Sequence, residues 1–200
     1  MFFDEEVCKA INFKIKKYNK PIDENDLKSI EDFDLSNRTL SGREKNIDLS
    51  FLALMPNLNR ISLQYFKIDN DIVNILDSLK KLTVLELNFC GCYFNNKLEN
   101  KNLLSLSLNC CKVNNYSNIS LTKDFTVIGE NKLNLQLLEN KLITENLYLN
   151  NCKIEKIECI EYFTNLKKLN LDGSYFNKNK LLVSNNNIEI SKLGKYLPIG

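Results

Sequence analysis

Residues 82–92 read LTVLELNFCGC, and the spacing of their apolar side chains decides the fold. Leucines occupy positions 82, 85 and 87, and cysteines follow at positions 90 and 92. The same offsets return twice, as Leu103, Leu106, Leu108, Cys111 and Val113 and as Leu166, Leu169, Leu171, Ser174 and Phe176. Apolar side chains that recur at fixed offsets indicate one structural unit repeated along the chain.

Each copy fits the leucine-rich repeat template L-x-x-L-x-L-x-x-N/C-x-L. A repeat of this length cannot bury its apolar edge alone, so successive turns must stack around one continuous core. We therefore predict an α/β fold, a right-handed leucine-rich repeat solenoid of roughly seven or eight turns. Short parallel strands form its concave face, and 3₁₀, helical or irregular segments form its convex side.

With 200 residues, 44% of them hydrophobic and 26% charged, the chain has the size and composition of one folded soluble domain. No stretch approaches the roughly 18 apolar residues of a membrane helix, and acidic residues 4–6 stand where a signal peptide is basic. A formal net charge of +2 is too small for a strong electrostatic field. We therefore expect no nucleic-acid partner and no membrane partner.

The seven cysteines are an odd number, and several fall on repeat positions rather than in a disulfide framework. No export signal is recognised at the start of the sequence. Both observations favour reduced thiols in a cytoplasmic protein, which we expect to be a monomer.

The first 29 residues carry no repeat and suit a cap on one end of the solenoid. Val7 and Ile11 lie four residues apart, as on one side of a helix. Asp23 has the side chain of an N-cap, and Leu27 faces inward from the short helix that it starts. A first repeat without a cap exposes its apolar edge to water. The predicted division is a helical cap over residues 1–29 and a repeat array over residues 30–200, within a single structural domain.

Two early turns have a longer spacing than the later ones. They are Ile30, Phe33, Leu35 and Leu40, then Leu58, Ile61, Leu63 and Ile68. The extra residues, 41–57, include Gly42 and Pro56 and are expected to bulge from the convex side. The helical spacing of Ile72, Ile75, Leu76 and Leu79 predicts one helix on that side.

The pattern weakens from Asn114 to Lys141. The interval between the clear turns on either side suits two repeats, so we expect one degenerate strand near residues 125–128. Residues 133–142 also match the template, but they lie too close to the next strand for both to be full turns, and the sequence leaves this choice open. A clear turn resumes at Leu147, Leu149, Cys152 and Ile154. A last weak strand is expected at Ile188 and Ile190, with Leu193, Tyr196 and Leu197 covering the far end.

Residues 152–173 resemble the short leucine-rich repeats of bacterial proteins and phosphatase regulators, a type that internalins share. The resemblance implies that Ile154, Ile157, Ile160 and Phe163 form a tight convex turn of mostly 3₁₀ character. The opening of the chain also resembles the helical cap that precedes such arrays in Gram-positive proteins.

Two departures from these repeats matter. The asparagine ladder of the family is replaced by Cys90, Cys111 and Cys152, and near the start by Arg38 and Phe66. The internalins also carry export signals and wall anchors, which are not recognised here, so their adhesive role does not transfer.

The sequence contains no histidine, which removes the usual general base and the commonest ligand of catalytic zinc. Neither a Walker A loop nor a dinucleotide-binding glycine motif is present. Four thiols, at Cys90, Cys92, Cys110 and Cys111, have the number that a zinc site needs. Three of them already have structural places in the repeat, so we predict no metal and no cofactor. A cysteine-cluster metal protein or an enzyme stays open as the alternative.

The residues beside the inward leucines point to the concave face by the period-two rule. We predict a partner-binding surface of polar and aromatic side chains there: Asp34, Arg60, Gln64, Tyr65, Glu86, Asn88, Phe89, Asn109, Tyr148, Asn150 and Asn170. Aromatic and arginine side chains carry most of the energy of protein interfaces. The prediction is a nonenzymatic protein-interaction module. A regulatory subunit of a phosphatase or a toxin is a further alternative.

Overall fold

The computed structural model describes residues 3–16, 21–37, 47–181, 188–191 and 195–196. These residues form three α-helices, α1 (Glu5–Ile15), α2 (Glu24–Lys28) and α3 (Asn70–Ser78). The strands are β1 (Asp32–Ser36), β2 (Arg60–Gln64), β3 (Lys67–Ile68), β4 (Val84–Asn88), β5 (Gly91–Cys92), β6 (Ser105–Asn109), β7 (Lys112–Val113), β8 (Asp124–Ile128), β9 (Leu133–Asn134), β10 (Asn146–Asn150), β11 (Ile154–Glu155), β12 (Lys168–Asn170), β13 (Tyr175–Phe176), β14 (Glu189–Ser191) and β15 (Lys195–Tyr196).

One parallel sheet of eight strands runs the length of the described residues, in the order β1-β2-β4-β6-β8-β10-β12-β14. In each full five-residue strand the second and fourth side chains are buried. Leu85 pairs with Leu106 and Leu87 with Leu108, so equivalent leucines stack from turn to turn. Full burial of each such side chain contributes about 2 kcal/mol. The predicted solenoid with one apolar seam is confirmed.

Two residues after the second inward leucine, the backbone of most turns enters the left-handed region. We call these residues the left-handed row: Tyr65, Phe89, Cys110, Gly129, Asn151 and Gly173. Their φ angles lie between 52° and 74°. This twist turns the chain away from the strand and aims the next side chain back into the core.

The residues that follow form a second row, which we call the ladder row: Phe66, Cys90, Cys111, Glu130, Cys152 and Ser174. Its thiols and its serine hydroxyl donate hydrogen bonds to carbonyl oxygens of the preceding turn. The donor–acceptor distances are 3.4 Å from Cys90 to Leu63, 3.1 Å from Cys111 to Leu87, 3.5 Å from Cys152 to Val127 and 2.6 Å from Ser174 to Leu149. The thiols therefore replace the ladder asparagines and bond the backbone of the neighbouring turn, as predicted. Arg38 lies outside the described residues.

Both N-terminal helices form where the sequence predicts them. In α1 the buried residues are Val7 and Ile11, and the helix packs against β1. Asp23 caps α2 in a capping box with Asp26, whose side chain accepts the Asp23 backbone N–H. The division at residue 29 stays a prediction, because the buried residues of the helices and of the repeats form one core.

The convex side carries α3 on one turn and short 3₁₀ helices on others. In α3 Ile72, Val73 and Leu76 are buried, as the helical spacing predicts. The 3₁₀ helix Ile157–Tyr162 confirms the convex turn implied by the resemblance. Further 3₁₀ helices are Ser50–Leu54, Tyr116–Asn118, Leu135–Leu137, Lys141–Ile143 and Lys178–Lys180.

The predicted bulge over residues 41–57 is wrong for the part that the structure describes. Residues 47–57 pack against the core, and their five buried side chains are Ile47, Leu49, Phe51, Leu52 and Met55. Phe51 meets Phe33 edge-on, with 5.6 Å between ring centroids. The cause is composition, because these apolar side chains gain more from burial than a solvated loop allows. Residues 41–46 lie outside the described residues.

The segment from Asn114 to Lys141, where the repeat pattern weakens, contains the expected strand in its first half. Strand β8 confirms the degenerate strand, and residues 133–142 form no full turn, only β9 and 3₁₀ helices. Strand β14 confirms the last strand, although Ile190 is 38% exposed. Leu193 and Leu197 lie outside the described residues, and Tyr196 is described only as a strand residue. Within the described ranges, no helix is long and apolar enough to cross a bilayer.

Candidate functional site on the concave face

The outward side chains of the sheet form three parallel rows, because the strands pair in register. The first row is Asp32, Arg60, Val84, Ser105, Asp124, Asn146, Lys168 and Glu189. The middle row is Asp34, Ser62, Glu86, Ser107, Thr126, Tyr148, Asn170 and Ser191. The last row is Ser36, Gln64, Asn88, Asn109, Ile128 and Asn150.

The structure brings the predicted binding residues onto one surface. Nine of the eleven lie in the three rows, and Tyr65 and Phe89 follow the last row in the left-handed row. Tyr148 and Asn170 lie several strands away from Arg60, at the other end of the sheet. The surface is thus continuous but divided by chemistry into a charged part, an amide part and an aromatic edge. Its binding role stays a prediction.

The charged part is an ion network centred on Arg60. One guanidinium nitrogen, Nη1, lies 2.9 Å from Asp32 and 2.7 Å from Asp34, and Nη2 lies 2.8 Å from Glu86. Lys14 of α1 adds a 2.7 Å bond to Asp34. The sequence pattern marked Arg60, Asp34 and Glu86 but missed Lys14, because nothing in a helix pattern reveals which strand the helix will face.

The network favours the charged forms of Arg60 and Asp34. Bonding to Asp34 raises the pKa of Arg60 above its usual value, and the bonds to Asp32 and Glu86 act in the same direction. Burial alone raises the pKa of Asp34, but the bonds from Lys14 and Arg60 outweigh it and lower that pKa. A partner that approaches Arg60 or Glu86 therefore meets charges that already have partners.

The amide part lies beside the network, at the ends of β4 and β6. The Asn109 amide donates to Asn88 at 2.7 Å, and Asn88 donates to the Ser62 hydroxyl at 3.3 Å. The Ser107 hydroxyl donates to Asn109 at 3.0 Å. These bonds fix the side chains before any partner arrives, so little rotamer entropy is lost on binding.

The aromatic edge consists of Tyr65 and Phe89. Their rings stack with centroids 5.1 Å apart and an interplanar angle of 18°. Phe89 is 48% exposed, and Tyr65 is partly exposed. Both residues hold left-handed φ angles, of 62° and 54°, a conformation that is rare for bulky side chains. The next turns carry Cys110 and Gly129 there, so the aromatic edge ends after two turns.

Asp124, Thr126, Ile128 and Asn146 are among the concave residues that sequence reasoning missed. Three of them belong to the degenerate strand, whose two-residue period was a usable signal once the strand was placed. Ile128 and Tyr148 lie on adjacent strands and give this half of the surface a partly exposed apolar area.

The buried cysteines are unreactive thiols packed in the core. Burial raises the pKa of Cys152 to about 11. The bond to Cys90 favours the Cys111 thiolate, but the bond from Cys92 and burial outweigh it and raise the pKa of Cys111 to about 12. Protonated thiols are poor nucleophiles and poor metal ligands. Within the ranges that the structure covers, no group of three or more cysteine, aspartate or glutamate side chains is arranged to hold a metal ion.

No protein-family model matches the chain, and no curated protein sequence matches it either. Among solved structures it is similar to internalin C2 of Listeria monocytogenes, with 17% identity, a TM-score of 0.57 and coverage of 98% of this chain and 94% of that one. It also matches an internalin of the same organism, inlF, with 13% identity, a TM-score of 0.38 and coverage of 96% and 76%. The first likeness confirms an internalin-like leucine-rich repeat solenoid as the fold.

Proposed function

We propose that this protein is a noncatalytic binding module whose concave face holds a protein partner. The sheet fixes three rows of side chains in register, and hydrogen bonds hold the Arg60 network and the amides around Asn88 in place. A prearranged surface loses little conformational entropy when a partner docks. Rigid presentation of side chains is thus the mechanism.

The stacked pair of Tyr65 and Phe89 is the observation that carries the proposal. The same position is glycine in two other turns, at Gly129 and Gly173, where a left-handed backbone is unstrained. A bulky residue in that conformation costs on the order of 1–3 kcal/mol. Phe89 is also 48% exposed, so its ring is only partly buried. An exposed, rigid aromatic pair of this kind is typical of an interface anchor.

The noncatalytic part rests on the state of the reactive groups. The cysteine thiols at Cys90, Cys111 and Cys152 are buried and protonated, and the concave carboxylates beside Arg60 are ion-paired. All seven cysteines are free thiols, which suits a reducing compartment. We therefore propose a cytoplasmic monomer, in keeping with the sequence.

Site-specific photocrosslinking in the native host tests the proposal. A benzophenone side chain replaces Phe89 on the concave edge in one protein and Tyr162 on the convex side in a matched control. Tyr162 is 56% exposed, so both probes are accessible. We expect one protein adduct from position 89 that is missing from position 162. Identical adducts from the two positions, or none from position 89, contradict a concave binding site.

A further inference from the structure

A row of lysines runs along the flank of the solenoid, just beyond the ladder row. We call it the flank stripe: Lys67, Lys112, Lys132 and Lys153. In the sheet β3-β5-β7, Lys67 pairs with Gly91 and Gly91 with Lys112. Farther along, Lys132 directly precedes β9 and Lys153 directly precedes β11. These two short strands pair through Leu133 and Ile154. The backbone thus places one lysine after each of four strands, on the same side.

The charges of the flank stripe are available to a partner. All four side chains are exposed. Among the described residues, Lys67, Lys112 and Lys153 have no acidic side chain within 4.0 Å, and Lys132 lies 3.9 Å from Glu155. Lys14 and Arg60 at the concave face differ, because each lies 2.7 Å from a carboxylate oxygen of Asp34. Three of the four flank lysines therefore have no acidic partner among the described residues.

An aromatic ring fills the one gap in the stripe. A Cβ atom placed on Gly91 would overlap the ring of Tyr93, so that ring lies over the glycine between Lys67 and Lys112. Tyr93 is 44% exposed. Two residues before Gly91 stands Phe89, so the stripe borders the aromatic edge of the concave face. Lysines and exposed rings together form one continuous rim.

We propose that this rim, the flank stripe with Tyr93, binds an acidic segment of the protein partner that the concave face holds. The inference rests on the proposed function, because it names the chemistry of the same partner. Parallel strands repeat about every 4.8 Å, so lysines on neighbouring turns stand in a line that carboxylates on an extended segment can follow. Tyr93 adds apolar contact between the charges. Charge complementarity of this sort mainly sets the association rate and the choice of partner.

A protein segment suits the rim better than a nucleic acid. Single strands bind on rings whose faces are open to bases. Here Tyr65 and Phe89 already stack on each other, and Tyr93 lies against Gly91. The stripe contains lysines and no arginine, and the whole chain has a net charge of only +2. The test nevertheless includes a nucleic acid, because tighter binding of one would contradict this choice.

The test uses fluorescence anisotropy with the full chain and three labelled probes of equal length. They are a peptide of alternating glutamate and glycine, a peptide of alternating lysine and glycine, and oligo(dT). We expect the acidic peptide to bind and its affinity to fall as sodium chloride rises from about 0.05 to about 0.3 M, because exposed charges are screened. No binding of the acidic peptide, or equal binding of the basic one, overturns the inference. Tighter binding of oligo(dT) overturns the choice of an acidic protein segment.

Two charge-reversal variants supply the matched comparison. The first carries Lys112→Glu with Lys153→Glu on the stripe. The second carries Lys80→Glu with Lys101→Glu, two exposed lysines that precede their strands instead of following them. Both change the net charge equally, so the loss of nonspecific attraction is the same. We expect about tenfold weaker binding for the stripe variant and less than about threefold for the control. Equal losses overturn the inference, and thermal melting verifies that both variants fold.

The two proposals can fail separately. If position 89 crosslinks a protein while the acidic peptide does not bind, the partner is not recognised through the flank stripe, and the concave site stands. If the peptide binds with the expected variant pattern while position 89 yields no adduct, the stripe stands as a binding surface and the concave proposal falls.

Discussion

The ladder row and the left-handed row are adjacent in sequence but differ in role: one is mostly buried in the core and the other is partly or fully exposed to solvent. Cys111 is buried and bonded to the carbonyl of Leu87, whereas Cys110 is exposed in a left-handed conformation. Two neighbouring residues of one type thus differ in solvent access, bonding and backbone strain. In a repeat protein the position within the turn, and not the residue type, decides what a side chain does. The ladder row holds the fold, and the left-handed row is free to carry function.

Thiol chemistry gives the largest expected contrast between the two rows. Cys110 reacts with a disulfide reagent in the native protein, while Cys111 reacts only when the turn opens, at a cost close to that of local unfolding. We expect native-state labelling rates that differ by about a hundredfold or more. The measurement is labelling kinetics of wild type, Cys110→Ser and Cys111→Ser. A fast phase that survives Cys110→Ser unchanged contradicts the assignment; the partly buried Cys8 supplies at most a slower phase.

Alanine substitutions at the same two positions give the next contrast. Cys111→Ala removes the hydrogen bond to Leu87 and leaves that buried carbonyl without its sulfur donor, together with a small cavity. The expected loss is about 1–2 kcal/mol of unfolding free energy. Cys110→Ala removes an exposed side chain and is expected to change the free energy of unfolding by less than about 0.5 kcal/mol. Urea unfolding of both variants measures this difference, and equal losses contradict the division of roles.

A glycine pair compares a left-handed position with one that is crowded but not left-handed. At Gly173 φ is 67°, and an added Cβ meets the side chain of Asn151. Gly173→Ala is therefore expected to cost about 1 kcal/mol or more. At Gly91 the backbone is not left-handed, and an added Cβ displaces only the Tyr93 ring. Gly91→Ala is expected to cost less than Gly173→Ala in thermal unfolding, and the reverse order rejects strain as the property that distinguishes the left-handed row.

The sequence predicts the ladder row better than the left-handed row for a physical reason. A buried position accepts few side chains, so Cys90, Cys111 and Cys152 recur at readable offsets. The left-handed row faces water and tolerates tyrosine, phenylalanine, cysteine, asparagine and glycine, so its pattern is invisible without the backbone. The apolar run from Ile47 was likewise misjudged, since loop length and glycine suggested a bulge where burial decided the outcome.

The concave surface was predictable to the same extent. The alternation of inward and outward residues located Arg60, Glu86 and Tyr148 correctly, because the strands are regular. The partners of those side chains were not predictable, because Lys14 reaches the face from α1, a helix outside the repeat. Contacts between the repeat and its flanking elements follow from three-dimensional packing, which a one-dimensional pattern does not contain.

Acid titration gives the smallest contrast and concerns the charged end of the concave face. The folded-state pKa of Asp34 is lowered by its bonds to Lys14 and Arg60, so this group stabilises the fold above its unfolded pKa and stops doing so as the pH falls through the folded value. Asp34→Asn should therefore be less stable than wild type at neutral pH, and the gap should close below about pH 4.

The size of that gap is limited by solvent. The Asp34 side chain is 48% exposed, so screening reduces the contribution to about 0.2–1 kcal/mol. Urea unfolding at neutral and acid pH measures it, and high salt should shrink it at neutral pH because the network is accessible to ions. A gap that is the same at both pH values means that Asp34 acts through packing and not through charge. In that case the Arg60 network can open for a partner at lower cost, since its ion pairs contribute little to holding the first three strands together.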